Sequence, residues 1–111
     1  MKIYSGSRGK NCNIVLVDGK HLRLRLDLWN HSPNGFEWGY GGSGPAQLAL
    51  AILADCLGDD ERAVALHQPF KWDVVTAFKY EGWALTAAQV MEAVLKIEKE
   101  REQKQCADSP K

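Results

Sequence analysis

Cysteine is scarce in this chain. There are three, Cys12, Cys56 and Cys106, and no two form a CxxC pair. That pattern excludes a disulfide framework and a zinc ribbon, so reduced thiols in a cytoplasm are the expectation. Long apolar runs are missing as well. None approaches the roughly 20 residues that cross a bilayer. The opening MKIYSGSRGKNC has no apolar stretch of the signal-peptide kind. No membrane association is expected. Histidine is sparse too: His21, His31 and His67 show neither HxH nor HxxxH spacing, which argues against a metal centre. Nor is there an excess of one charge, since 14 basic residues balance 14 acidic ones.

What is present suits one soluble globular domain. The chain has 111 residues, 45% hydrophobic and 25% charged, in the usual range. We place the domain at residues 1–104 and expect the polar 105–111 to be a disordered tail. Charge is unevenly spread. Residues 1–40 carry six basic and three acidic side chains, the remainder eight and eleven. A basic N-terminal face can meet an anionic partner, although a solvated surface reads the same way.

KIYS, residues 2–5, reads as a strand. NIVLV and HLRLRLDLW flank Asp18-Gly19, a hairpin signal. In the second arm Leu22, Leu24, Leu26 and Leu28 alternate with Arg23, Arg25 and Asp27, one face buried and one wet. A three-residue loop, Asp18 to Lys20, sets Leu16 opposite Leu22 and Ile14 opposite Leu24, and is the preferred register. A slip of one residue sets Val15 and Val17 on that face instead. NHSPNG is a turn, and FEWGY an extended aromatic segment.

Pro45 fits a first helical turn, with Ser43 or Gly44 as the N-cap and Gln47 reaching back to a free N–H. From Leu48 to Leu57 the segment is apolar nearly all round, the mark of a buried helix. Gly58 closes it. DDERAVALHQ predicts a short helix with acids at its start. Pro69 begins another, with Phe70, Val74, Val75 and Phe78 on one face. Gly82 breaks it, and Trp83 and Leu85 pack where the chain turns. Thr86-Ala-Ala-Gln89 is a capping box. The last helix shows a stripe of Val90, Met91, Val94, Leu95 and Ile97. Strands first and helices after predict an α+β fold. A small antiparallel sheet packs on three to four helices, with 45–57 as the central buried one.

Gly39-Tyr-Gly41-Gly-Ser-Gly44 spells GxGxxG, the dinucleotide fingerprint. Its context rejects that reading, because a hairpin precedes it and no strand follows its helix. No cofactor is expected. A glycine loop feeding a helix N-terminus still presents free N–H groups to a small anion. Phe36, Trp38 and Tyr40 are then the stacking platform, and Gly41, Gly42, Ser43 and Gly44 the cradle. The alternative is architectural: the glycines let the backbone turn tightly and the aromatics fill the core. Ser43 lacks the final glycine of a GxSxG elbow, and no histidine spacing argues for a base. No catalytic residue is assigned. Lys20, Arg23 and Arg25 make a small basic strip, weak as a nucleic-acid surface.

SPNGFEWGYGGSGPAQLALAIL resembles the signature of an uncharacterised family of small bacterial proteins also carried by phages and plasmids. IYSG, VDGKHL, FKWDVV and WALT are similar to its flanking elements, and together they cover most of residues 3–90. The resemblance implies a domain of unknown function and, from its mobile-element setting, an accessory role. The expectation is a non-enzymatic binding module that docks on a protein partner. The alternatives are a small anionic ligand at Gly39–Gly44 and nucleic acid on the basic strip.

Overall fold

The computed structural model describes residues 2–108, with side chains as far as Gln103. The chain runs β1 (Ile3–Arg8), β2 (Asn13–Val17), β3 (Lys20–His21), α1 (Ser43–Leu57), α2 (Asp60–Asp73), a 3-10 turn at Val75–Ala77, β4 (Gly82–Thr86) and α3 (Ala87–Asp108). The fold is α+β. Its antiparallel sheet has the order β3-β2-β1-β4. Of the tail expected to be disordered, 109–111 lies outside the described residues.

The hairpin forms at Asp18-Gly19 in a tighter register than the preferred one. Leu16 pairs with His21 and Val17 with Lys20, leaving a two-residue turn. Asp18 (φ 50°) and Gly19 (φ 81°) take the two left-handed positions that such a turn needs. The Asp18 carboxylate accepts from the Ile3 N–H at 2.9 Å and pins the turn to β1. This is the one-residue slip: Val15 and Leu22 are buried with Val17 packed on the same core.

The leucine-arginine arm does not continue as a strand. β3 ends at His21, and Arg25 (φ 57°) turns the chain. The reason lies on α1. The Gln47 amide, fully buried, donates to the carbonyls of Leu24 (2.6 Å) and Trp29 (3.0 Å). Its oxygen accepts from the N–H groups of His31 (2.7 Å) and Ser32 (3.0 Å). Four backbone groups of the 24–32 segment thus find partners without a ladder. Gln47 therefore does not reach back to the helix start, and Gly42, not Ser43 or Gly44, is the N-cap.

α1 is the central buried helix. Every residue from Leu48 to Leu53 is without exposure, and Gly58 closes it in the left-handed conformation. α2 is one helix, not two. Pro69 sits inside it and cannot donate to the Ala65 carbonyl. Arg101 of α3 donates to that carbonyl instead, at 2.9 Å. The capping box is present: Gln89 N–H to Thr86 Oγ1 at 3.1 Å, and Thr86 N–H to Gln89 Oε1 at 2.9 Å. Val90, Val94 and Ile97 face the core, whereas Leu95 points to solvent. The fourth strand is Gly82–Thr86, paired with β1, and not FEWGY, which is irregular.

Candidate functional site

The 36–44 stretch folds as a corner between the irregular 22–42 segment and α1. Phe36 and Trp38 are buried. The Trp38 indole N–H donates to the carbonyls of Lys79 (3.0 Å) and Tyr80 (3.1 Å), which explains why the ring can go inside. Tyr40 faces out. Of the sequence-predicted platform, only Tyr40 is available.

The glycines admit close neighbours. A Cβ on Gly41 would enter the Trp72 ring, one on Gly42 would meet the Tyr40 ring, and one on Gly44 would lie 2.6 Å from Glu37 Cβ. Trp72 of α2 therefore lies over the loop, which no spacing in the sequence foretold. Lys71, next to it, holds its ammonium 4.4 Å from the Trp72 ring centre.

Glu37 leads to the second half of the site. Its Oε1 accepts from Arg8 at 2.8 Å. The Arg8 guanidinium lies 4.2 Å from the Trp38 ring centre and 4.0 Å from that of Tyr80. Its Nε donates to the Tyr80 carbonyl at 2.7 Å. Burial pushes the Glu37 carboxyl up, but hydrogen bonds from Arg8, Asn13 and the Trp38 N–H outweigh it, and the group is held below its ordinary value. Beside this pair opens a polar cleft of about 480 Å³, lined by Arg8, Asn11, Cys12, Asn13, Asn34 and Glu37.

One surface region thus carries Tyr40 (53% exposed), Trp72 (60%) and Tyr80 (70%). Contacts connect them through Gly41, Gly42, Gly44, Glu37 and Arg8. The region can bury aromatic area against a partner, with Arg8 half-buried at its border. At the start of α1, Gly42 supplies no side-chain cap, and Ser43 is exposed.

The basic strip is only partly assembled. Lys20 and Arg23 rim a groove of about 360 Å³ floored by Ala51 and Ala54. Arg25 borders it but is committed elsewhere, to Asp27 at 3.1 Å and Asp60 at 3.0 Å. Those bonds raise its already high pKa. Asp55, in the same groove, takes the Lys2 ammonium at 3.1 Å and the Tyr4 hydroxyl at 2.7 Å.

Sequence reasoning also missed a histidine pair, His67 buried and His31 half-buried. His31 Nε2 and His67 Nε2 are 3.0 Å apart, with Trp29 stacked on His31. Residues 36 apart in the chain leave no spacing signal. Among the described residues no three His, Cys, Asp or Glu side chains form a cluster able to hold a metal ion. No described helix is long and apolar enough to cross a membrane.

A family model described as a family of unknown function, DUF6166, matches residues 4–96. The chain belongs to that family. No curated protein and no solved structure matches it.

Proposed function

We propose that this DUF6166 member is a non-enzymatic binding module that docks on a protein partner through its glycine corner. In this reading it is a cytoplasmic accessory protein of a phage-like or other mobile element. The supporting observation is the exposure of Tyr40, Trp72 and Tyr80 around one connected region. Large aromatics bordered by Arg are the residues that dominate binding energy at interfaces, and soluble monomers rarely expose them together. The test compares capture of host proteins by the wild type with capture by Tyr40→Ala, Trp72→Ala and Tyr80→Ala. Each variant is first checked for an unchanged unfolding transition. The expected result is a partner held by the wild type and lost from at least two variants. A partner held equally by all three moves docking off this corner.

A second reading uses the same loop for a small phosphate- or nucleotide-like anion. It rests on the start of α1, where no side chain caps the first N–H groups. Trp38 is buried, so the ligand would meet Tyr40, Gly41, Gly42, Ser43 and Gly44. Inorganic phosphate and nucleotides at millimolar concentration should then raise the melting temperature, and no rise with any of them rejects it. Nucleic-acid binding has less support, because Arg25 is already paired.

A further inference from the structure

A groove of about 360 Å³ separates β3 from α1 and shares no residue with the glycine corner. One wall is β3. The Leu22 N–H donates to the Val15 carbonyl at 3.0 Å, and Val17 faces Lys20. Bonded and non-bonded pairs alternate along an antiparallel ladder. Val15 with Leu22 and Val17 with Lys20 are therefore bonded pairs, and Leu16 with His21 is the non-bonded pair between them. The His21 N–H and carbonyl point away from β2. β3 is the edge strand on that side, so both groups lack a backbone partner among the described residues.

The other wall is α1, where Ala51 and Ala54 stand three apart on one helix face. Their short side chains leave an apolar floor, which Val17 and Leu22 continue. Tyr4, Val17 and Lys20 are direct neighbours across three strands, so Lys20 lies on the sheet face that buries Tyr4. Most charges of the groove are already engaged. Asp55 holds Lys2 and the Tyr4 hydroxyl, and Arg25 holds Asp27 and Asp60. Asp27 lies near Arg23 but gives both its oxygens to Arg25. Lys20 and Arg23 are exposed and have no ion-pair partner among the described residues.

We propose that this groove captures the free C-terminus of an extended peptide, with an aliphatic last residue on the alanine floor and the carboxylate on Lys20 and Arg23. Three features converge on that occupant. The two unpaired cations call for an anion, and a guanidinium suits a planar carboxylate. The floor gains by covering itself with an aliphatic side chain. His21 offers one donor and one acceptor to a peptide backbone, as sheet edges do when they add a strand. A nucleic acid would use the cations but leave the apolar floor bare. A fatty acid would use floor and cations but leave the His21 backbone unpaired.

The test titrates the isotope-labelled full chain with an N-acetylated tripeptide ending in valine, once as the free acid and once as the carboxamide. The His21 and Arg23 amide resonances should shift saturably with the free acid, with a Kd of about 0.1–1 mM. The carboxamide should bind about tenfold more weakly. Lys20→Ala combined with Arg23→Ala changes two exposed side chains. It should leave circular dichroism unchanged and weaken the free acid about fivefold or more. No shift up to about 5 mM peptide overturns the proposal. So does equal binding of the carboxamide, or full affinity in the double variant. A single-stranded oligonucleotide or octanoate that shifts these resonances where the peptide does not assigns the groove to another ligand and overturns it as well.

Discussion

His31 and His67 share a hydrogen bond between their Nε2 atoms, 3.0 Å long. The His67 Nδ1–H donates to the Val64 carbonyl at 2.6 Å, so His67 Nε2 is the acceptor and His31 the donor. Both rings are neutral in this arrangement. Burial lowers both pKa values. His67 and the Lys71 ammonium lower that of His31 further, and Lys71 that of His67 against the opposing Val64 bond. Trp29 covers the pair. As pH falls below the ordinary histidine value of about 6.5, the unfolded chain takes up protons first. Stability is therefore full above that pH and is lost below it. Melting temperature should rise between about pH 5 and about pH 7.5, then level off. His31→Ala should flatten the rise. A melting temperature constant over that range would remove the pair from the acid response.

Gln47 should be among the least replaceable residues. Its fully buried amide serves four backbone groups. Gln47→Ala leaves them to find other partners, at a cost of about 3 kcal/mol or more. Gln47→Glu keeps the acceptor but loses both donors and buries a carboxyl, so it should be more stable at acid pH than at neutral pH. Urea unfolding at two pH values reads both. A loss under about 1 kcal/mol for the alanine variant contradicts the role assigned to this amide.

Two glycines of the corner should differ. At Gly44 an added Cβ meets Glu37 Cβ at 2.6 Å, an atom fixed to the backbone beside the Arg8 pair. Gly44→Ala should cost roughly 1–3 kcal/mol. At Gly41 the added Cβ meets the outer end of the exposed Trp72 ring, which can swing aside. Gly41→Ala should change stability by less than about 1 kcal/mol, yet shift tryptophan fluorescence. Equal costs at the two positions would mean that Trp72 is held as firmly as Glu37.

Arg101 and Pro69 should be coupled. Arg101→Ala strands the Ala65 carbonyl that Pro69 leaves open. With Pro69→Ala the helix supplies its own N–H, and Arg101→Ala should then cost less. The carbonyl is near solvent, so the difference is about 0.5–1 kcal/mol. A double-mutant cycle measures it, and strict additivity rejects the link.

Elements defined by local signals were legible. Asp18-Gly19, the apolar 48–57 run, Gly58 and Thr86–Gln89 each announced themselves through turn, periodicity or cap chemistry. What was not legible depended on partners distant in the chain. Leu22 to Leu28 alternates like a strand, but Gln47 takes its backbone and Asp60 its arginine. Gly82 to Thr86 is too short and too Gly- and Trp-marked to read as a strand until β1 pairs with it. The site was half legible. The glycine loop and Tyr40 were visible, whereas Trp72, Tyr80, Arg8 and the histidine pair converge only through the tertiary fold.

Arg8 ties β1, the corner and the 78–81 segment together at one guanidinium. Tyr80, for all its exposure, is held by both its ring and its carbonyl. The conformational entropy that a free surface tyrosine surrenders on binding is already surrendered on folding. Whatever meets this corner meets a preorganised ring, so Arg8→Ala should weaken docking by loosening Tyr80, even where Arg8 itself touches nothing on the partner.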